Sequence, residues 1–208
     1  MEPHVAEDEE LQKFREWWKA NGVSLLVGIG LGLAALGGFN GWKWYTEVQA
    51  ESASTLFSNF QQAASADNLQ LASDLLDELK DDYSGSPYTL SASVILASRE
   101  FDATNTDQAK THLQWVLDNS EEGAIRHTAR LRMAYLELDA GNTDAAMSLL
   151  QVEEEGGFAS QYAELKADAQ VRAGNREEAA KLYAEAITAL PRGSAYLEVL
   201  QAKQASSR

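Results

Sequence analysis

The chain contains no cysteine, which removes disulfides, cysteine-ligated metals and thiol nucleophiles in one step. Proline is confined to Pro3, Pro87 and Pro191, so long stretches lack the residue that most strongly interrupts a helix. Valine and isoleucine are sparse, while alanine, leucine, glutamate and glutamine abound. That balance favours helix over sheet. The three histidines, His4, His112 and His127, share no HExxH or comparable ligand spacing, so structural or surface roles are expected rather than a metal centre. Positive charge is also scarce, with 17 Lys and Arg against 32 Asp and Glu, a net −15. Between Thr46 and Arg208, 26 acidic residues oppose 13 basic ones, a net −13. A segment so charged is repelled by nucleic acid and by anionic lipid head groups, which points to protein partners. The chain has no P-loop, no G-x-S-x-G elbow and no EF-hand spacing, and the acidic runs 7–10 and 153–155 read as solvated segments. No catalytic, cofactor-binding or metal-binding residue is nominated, and a non-enzymatic protein is expected.

What is present begins with a run of 23 positions, residues 20–42, without an ionisable side chain. At a helical rise this spans roughly 34 Å, enough to cross a hydrocarbon core of about 30 Å. Within residues 23–39 only Ser24 is polar. Trp17, Trp18 and Lys19 stand at one end and Trp42, Lys43 and Trp44 at the other, the residue types that anchor a span at the lipid interface. A cleavable signal peptide would need a shorter apolar core and a small-residue exit. A buried core helix would rarely carry paired tryptophans at its ends. The expected division is a cytoplasmic tail at 1–19, a transmembrane helix with its anchors at 20–45, and a soluble domain at 46–208. Lys13, Arg15 and Lys19 precede the span and only Lys43 follows it closely, which places the N-terminus in the cytoplasm and the domain across the membrane. Inside the span, Gly28 and Gly32, then Gly37 and Gly41, stand four apart as in close helix–helix packing. Gly30, Gly32 and Ala35 imitate a dinucleotide fingerprint, but the strand and helix such a fingerprint needs on either side are missing.

The soluble part repeats. Asn68, Asn105, Asn142 and Asn175 lie 37, 37 and 33 residues apart. Four residues after each comes an alanine, Ala72, Ala109, Ala146 or Ala179, and eight after comes Leu76, Leu113, Leu150 or Tyr183. Eight before each stands Phe60, Ala97, Ala134 or Ala167. The pattern describes helical hairpins. Asparagine is expected as the N-cap of each second helix, with Gln70, Asp107, Asp144 and Glu177 in the first turn and Gln108 and Glu178 closing capping boxes. The alanines let helices approach closely, and units that cannot bury their apolar faces alone must stack into a solenoid. Helices are expected near 47–65, 68–82, 87–102, 106–118, 121–139, 143–151, 159–173 and 176–189, with a capping helix near 194–204. No glycine or proline interrupts 43–65, so the first is expected to continue directly from the span. The fold class is all-α: one transmembrane helix followed by about four hairpins and a cap.

The last hairpin, with Gly174, Asn175, Ala179, Tyr183, Ala186 and Pro191 at their respective spacings, resembles the tetratricopeptide repeat. Lys166 stands where that repeat usually has leucine, and the first two units lack the turn glycine. Taken whole, the chain resembles the YfgM family of ancillary subunits of the bacterial Sec translocon. The resemblance is carried by Phe14-Arg15-Glu16-Trp17-Trp18-Lys19-Ala20-Asn21-Gly22, the glycine-spaced span and Gly41-Trp42-Lys43-Trp44. It implies a single-pass protein of the bacterial inner membrane whose periplasmic domain contacts the SecYEG-type translocon and a PpiD-like membrane-anchored foldase. It also implies a holdase-like service to unfolded secretory polypeptides. The competing expectation is a membrane-anchored scaffold for envelope assembly unrelated to secretion. Trp115, Tyr135, Tyr162 and Tyr183 are candidates for a protein-binding surface, with core filling as the alternative for each. The acidic tail is a candidate site for a cytoplasmic regulator.

Overall fold

A computed structural model describes residues 4–121 and 123–207, with side chains from Leu11 onward. The chain divides into two compact units, Met1–Glu51 and Ser52–Arg208. The described residues form helices and connections, with no strand among them. Helix α1 is assigned over His4–Ser65 and contributes to both units. It starts at His4, inside the segment expected to be a tail.

In the second unit, α2 (Leu69–Tyr83), α3 (Pro87–Asp102), α4 (Thr106–Asn119), α5 (Ala124–Asp139), α6 (Thr143–Leu149), α7 (Ala159–Arg172), α8 (Arg176–Ala189) and α9 (Leu197–Ser206) follow in order. A short 3₁₀ turn at Gly156–Phe158, which the residue pattern does not announce, precedes α7. Helix α6 ends at Leu149, short of the expected 151, and α9 begins at Leu197 rather than near 194. In the latter case Ser194 Oγ accepts from the backbone N–H of Tyr196 (3.2 Å) and holds a turn ahead of the helix.

Hairpin packing follows the repeat. Phe60, Leu76, Leu79, Ala92 and Leu96 bring the end of α1, α2 and α3 into one cluster. Ala97, Ala109, Leu113, Val116, Ala129 and Met133 join α3, α4 and α5 in the next. Leu131, Leu138, Ala146, Leu150 and Tyr162 continue it through α5, α6 and α7, and Ala167, Ala179, Tyr183, Ala186 and Leu200 close it with α7, α8 and α9. The four alanines that follow the repeat asparagines are fully buried, so a larger side chain at any of them would push two helices apart.

The turn inside each hairpin is the same device four times. The N–H of Asn105 reaches back to Glu100 O (2.7 Å) while that of Thr104 reaches Phe101 O (2.9 Å). Asn142 with Gly141 and Asn175 with Gly174 repeat both bonds, as does Asn68 with Asp67. This is a Schellman closure, and it requires a left-handed residue just before the asparagine. That residue is Gly141 (φ 83°) or Gly174 (φ 80°) in the later units, but Asp67 (φ 54°) and Thr104 (φ 67°) in the first two. The missing turn glycines therefore change the residue in the turn and leave its geometry intact.

The asparagines correct the capping expectation. Only Asn68 accepts a backbone N–H at a helix start, from Leu71 (3.2 Å). Asn105, Asn142 and Asn175 instead donate their side-chain amides backward by five residues. They reach Glu100 (2.6 Å), Glu137 (2.8 Å) and Gln170 (2.8 Å). Each of these bonds clips the end of one helix to the start of the next. The capping boxes are absent as well: the Gln108 amide lies 2.9 Å from Glu100 Oε2, and Glu178 sits 3.6 Å from Lys181 Nζ.

Candidate protein-binding groove

The first unit offers an apolar helix whose described side chains are mostly exposed. An 18-residue window within Leu11–Ser65 reaches a mean hydropathy of 2.0, long and apolar enough to cross a membrane. Trp17, Trp18, Trp42 and Trp44 are exposed, as are Lys19 and Lys43, and Lys43 Nζ lies 3.6 Å from Glu47. A Cβ added at Gly28, Gly32, Gly37 or Gly41 would meet no atom within 4 Å. Gly28 and Gly32 share one face of the helix, and Gly37 and Gly41, nine residues further on, share the opposite face.

In the second unit a groove of about 510 Å³ is lined mainly by the first helices of successive hairpins, α3, α5 and α7, together with Leu113 of α4, Tyr196 and Lys203 of α9. The reason lies in the helix period. Each of α3, α5 and α7 turns its alanine, eight before the repeat asparagine, into the core. The residue seven before the asparagine (Ser98, Tyr135 or Asp168) faces the groove in each of these three units. Phe101 and Tyr135 meet edge to face, ring centres 6.0 Å apart, and form an aromatic shelf across α3 and α5. Tyr135 is 48% exposed.

Charge in the groove is unevenly matched. At its α7–α9 end, Lys203 Nζ donates to Glu164 (2.7 Å) and Asp168 (2.8 Å), and Tyr196 Oη also donates to Glu164 (2.8 Å). Burial by itself would lower the Lys203 ammonium, but the hydrogen bonds to Asp168 and Glu164 outweigh it and raise the pKa. On α5, Arg132 Nη1 donates across to Val94 O (2.9 Å) and to Ser98 Oγ on α3. No described carboxylate lies within ion-pair distance of Arg132.

Of the four aromatic candidates, the structure places only Tyr135 in this groove. Tyr162 and Tyr183 are core residues, 0% and 3% exposed, which corrects their reading as a surface. Tyr162 Oη is 2.8 Å from His127 Nδ1, and Tyr183 Oη donates to Asp168. Burial, then the bond to Asp168 and its charge, pushes the Tyr183 phenol far above its ordinary range. Trp115 is half-buried on α4, where it lines a separate shallow depression with Lys110, Gln114 and Met133. Lys80 Nζ stands 5.2 Å from the Trp115 ring centre. Lys166, in place of the repeat's leucine, pairs with Glu155 and lies 5.9 Å from the Tyr162 ring centre. Arg132, Phe101, Glu164, Asp168, Tyr196 and Lys203 are not among the sequence candidates. The signal that would find most of them is the row three to four residues apart on the helix face away from the buried alanines.

A tetratricopeptide repeat-like domain family matches residues 15–206, which covers both the apolar helix and the hairpins. A Neisseria gonorrhoeae protein named ancillary SecYEG translocon subunit is 32% identical over 98% of each chain. The chain belongs to that family. Proteins of the same name from Escherichia coli (27% identical over 86% of each chain) and Haemophilus influenzae (24% over 88% of this chain and 89% of that one) are further relatives. Membership covers the helix and the groove together, and the one membrane-length apolar helix among the described residues fits a single-pass protein of the inner membrane.

Proposed function

We propose that this chain is a non-enzymatic, single-pass subunit associated with the SecYEG translocon, and that its groove holds a protein ligand beside the translocation site. The observation that carries the reading is the match over 98% of both chains to a relative named for that role. A likeness confined to the hairpins would speak only for a repeat domain. In this reading the tail lies in the cytoplasm and the repeat domain in the periplasm, as the basic residues before the span favour. Gly28 and Gly32 on one face, and Gly37 and Gly41 on the other, pack the span against partner membrane helices. The repeat domain engages a PpiD-like anchored foldase and assists emerging secretory polypeptides. The excess of 26 acidic over 13 basic residues in residues 46–208 suits a partner with basic surface and disfavours anionic lipid or nucleic acid.

The test is purification of the intact protein from membranes in a mild neutral detergent, followed by quantification of what accompanies it. Enrichment of translocon subunits and of a membrane-anchored foldase is expected. Recovery of cell-wall or outer-membrane assembly proteins without translocon subunits would replace this reading with the envelope scaffold.

A further inference from the structure

Arg132 is out of keeping with its surroundings. It sits in a strongly acidic domain, yet its guanidinium is held by a carbonyl and a hydroxyl, Val94 O and Ser98 Oγ, and no described carboxylate pairs with it. Five charged side chains line the groove: Asp102, Arg132, Glu164, Asp168 and Lys203. Glu164 and Asp168 are already bound to Lys203. Asp102, at the exposed end of α3, is free to stay solvated. The groove thus has a fixed cation beside an apolar shelf, and two of its three carboxylates already pair with Lys203. A guanidinium bound through one nitrogen keeps N–H donors for a planar carboxylate, and such charge-assisted pairs gain strength beside apolar walls.

We propose that the groove takes an extended apolar peptide segment carrying one internal aspartate or glutamate, whose carboxylate is received by Arg132. The inference rests on reading the groove as the protein-binding surface. Apolar side chains of the segment lie against the Phe101–Tyr135 shelf and Leu165. An internal acid fits better than a chain terminus, because lining residues continue on both sides of Arg132, toward Asp102 on α3 and toward Lys203 on α9. A chain ending at Arg132 would leave one of those halves empty. A second acid placed toward Glu164 and Asp168 would meet repulsion, so the segment is neutral or basic on that side.

The experiment uses full-length protein in neutral detergent and fluorescent octapeptide pools, acetylated and amidated, with four randomised leucine or phenylalanine positions. Each pool fixes aspartate, asparagine or lysine at the centre. The aspartate pool is expected to bind roughly tenfold more tightly than the asparagine pool, the size of one good charge-assisted pair. Arg132→Gln brings the two to parity with circular dichroism unchanged, and Arg132→Lys, which keeps the charge without the fork, retains part of the preference. Parity in the wild type, preference for lysine, or no binding by any pool overturns the proposal. A pool without internal acid but with a free terminal carboxylate that outcompetes the aspartate pool overturns the internal site. Copurification with the translocon reads out separately: if it persists while the pools bind at parity, the peptide inference fails and the functional reading stands.

Discussion

Thr104 occupies a left-handed backbone position (φ 67°) where the later hairpins use glycine. A β-branched residue there is strained by about 1–2 kcal/mol, partly offset by the chain entropy a glycine would lose on folding. Thr104→Gly is therefore expected to stabilise the protein by about 0.5–1 kcal/mol and to raise the midpoint of thermal unfolding by a few degrees. Gly141→Ala, at φ 83° with open space around an added Cβ, is expected to cost about 1 kcal/mol through the backbone alone. Urea unfolding of the two variants tests the shared turn, and equal destabilisation by both would refute it. His112 gives a second residue-scale expectation. Its Nδ1 is buried without a hydrogen-bond partner. Burial first, then the Lys80 charge, lowers its pKa below 6.5, while Glu100 and Asp77 act the other way. The unfolded chain then binds a proton that the folded chain resists. Stability is held above about pH 6.5 and declines as the medium is acidified below it. His112→Gln should flatten the stability curve between roughly pH 7 and pH 5 relative to wild type; parallel curves would remove the histidine from the explanation. The repeat asparagines show why residue roles are harder to read than residue positions. An asparagine amide can accept forward or donate backward, and the partner that decides between them, Glu100, Glu137 or Gln170, lies in the preceding helix.

At the scale of elements, helices α2 to α5 and α7 to α8 are legible in the sequence because apolar residues recur at the helical period and Pro87 and the glycines punctuate it. Helix α9 starts three residues later than its pattern suggests. Ser194 has the chemistry of a helix start, whereas its hydroxyl holds the preceding turn. What fixes α9 is also invisible in the local pattern. Lys203 reaches from α9 to Glu164 and Asp168 on α7, residues 39 and 35 positions away. These groups are partly shielded from solvent, so Lys203→Ala is expected to cost about 1–2 kcal/mol, more than an exposed pair would. Hydrogen exchange should quicken in α9 and leave α2 to α5 unchanged. Because the Lys203 pKa is raised, its contribution is present below the unfolded value near 10.5 and fades as pH rises through the folded one. Loss of protection across all hairpins at once would mean that α9 is an integral layer of the core, not a docked cap.

For the whole molecule, the apolar helix is legible from residue order alone because a bilayer demands a contiguous run, and contiguity is a one-dimensional property. The groove is not. Its lining comes from five helices spread between Ala97 and Lys203, and its defining row stands one residue on from the packing alanines that reveal the repeat. Aromatic identity alone then points the wrong way, since Tyr162 and Tyr183 look as suitable as Tyr135 until burial separates them. The absence of cysteine turns the remaining question, the direction of the chain across the membrane, into a clean experiment, because any introduced thiol is the sole thiol. Gln12 and Ser84 are both exposed and lie on opposite sides of the apolar run. In cells with a permeabilised outer membrane, Ser84→Cys should react with a membrane-impermeant maleimide, and Gln12→Cys should react only after the inner membrane is lysed. The expectation follows from lysine and arginine counts, because basic residues flanking a short tail resist transfer across the membrane while acidic ones matter little. The opposite labelling pattern would put the groove in the cytoplasm, where no emerging secretory chain could reach it, and the proposed role beside the translocon would have to be abandoned.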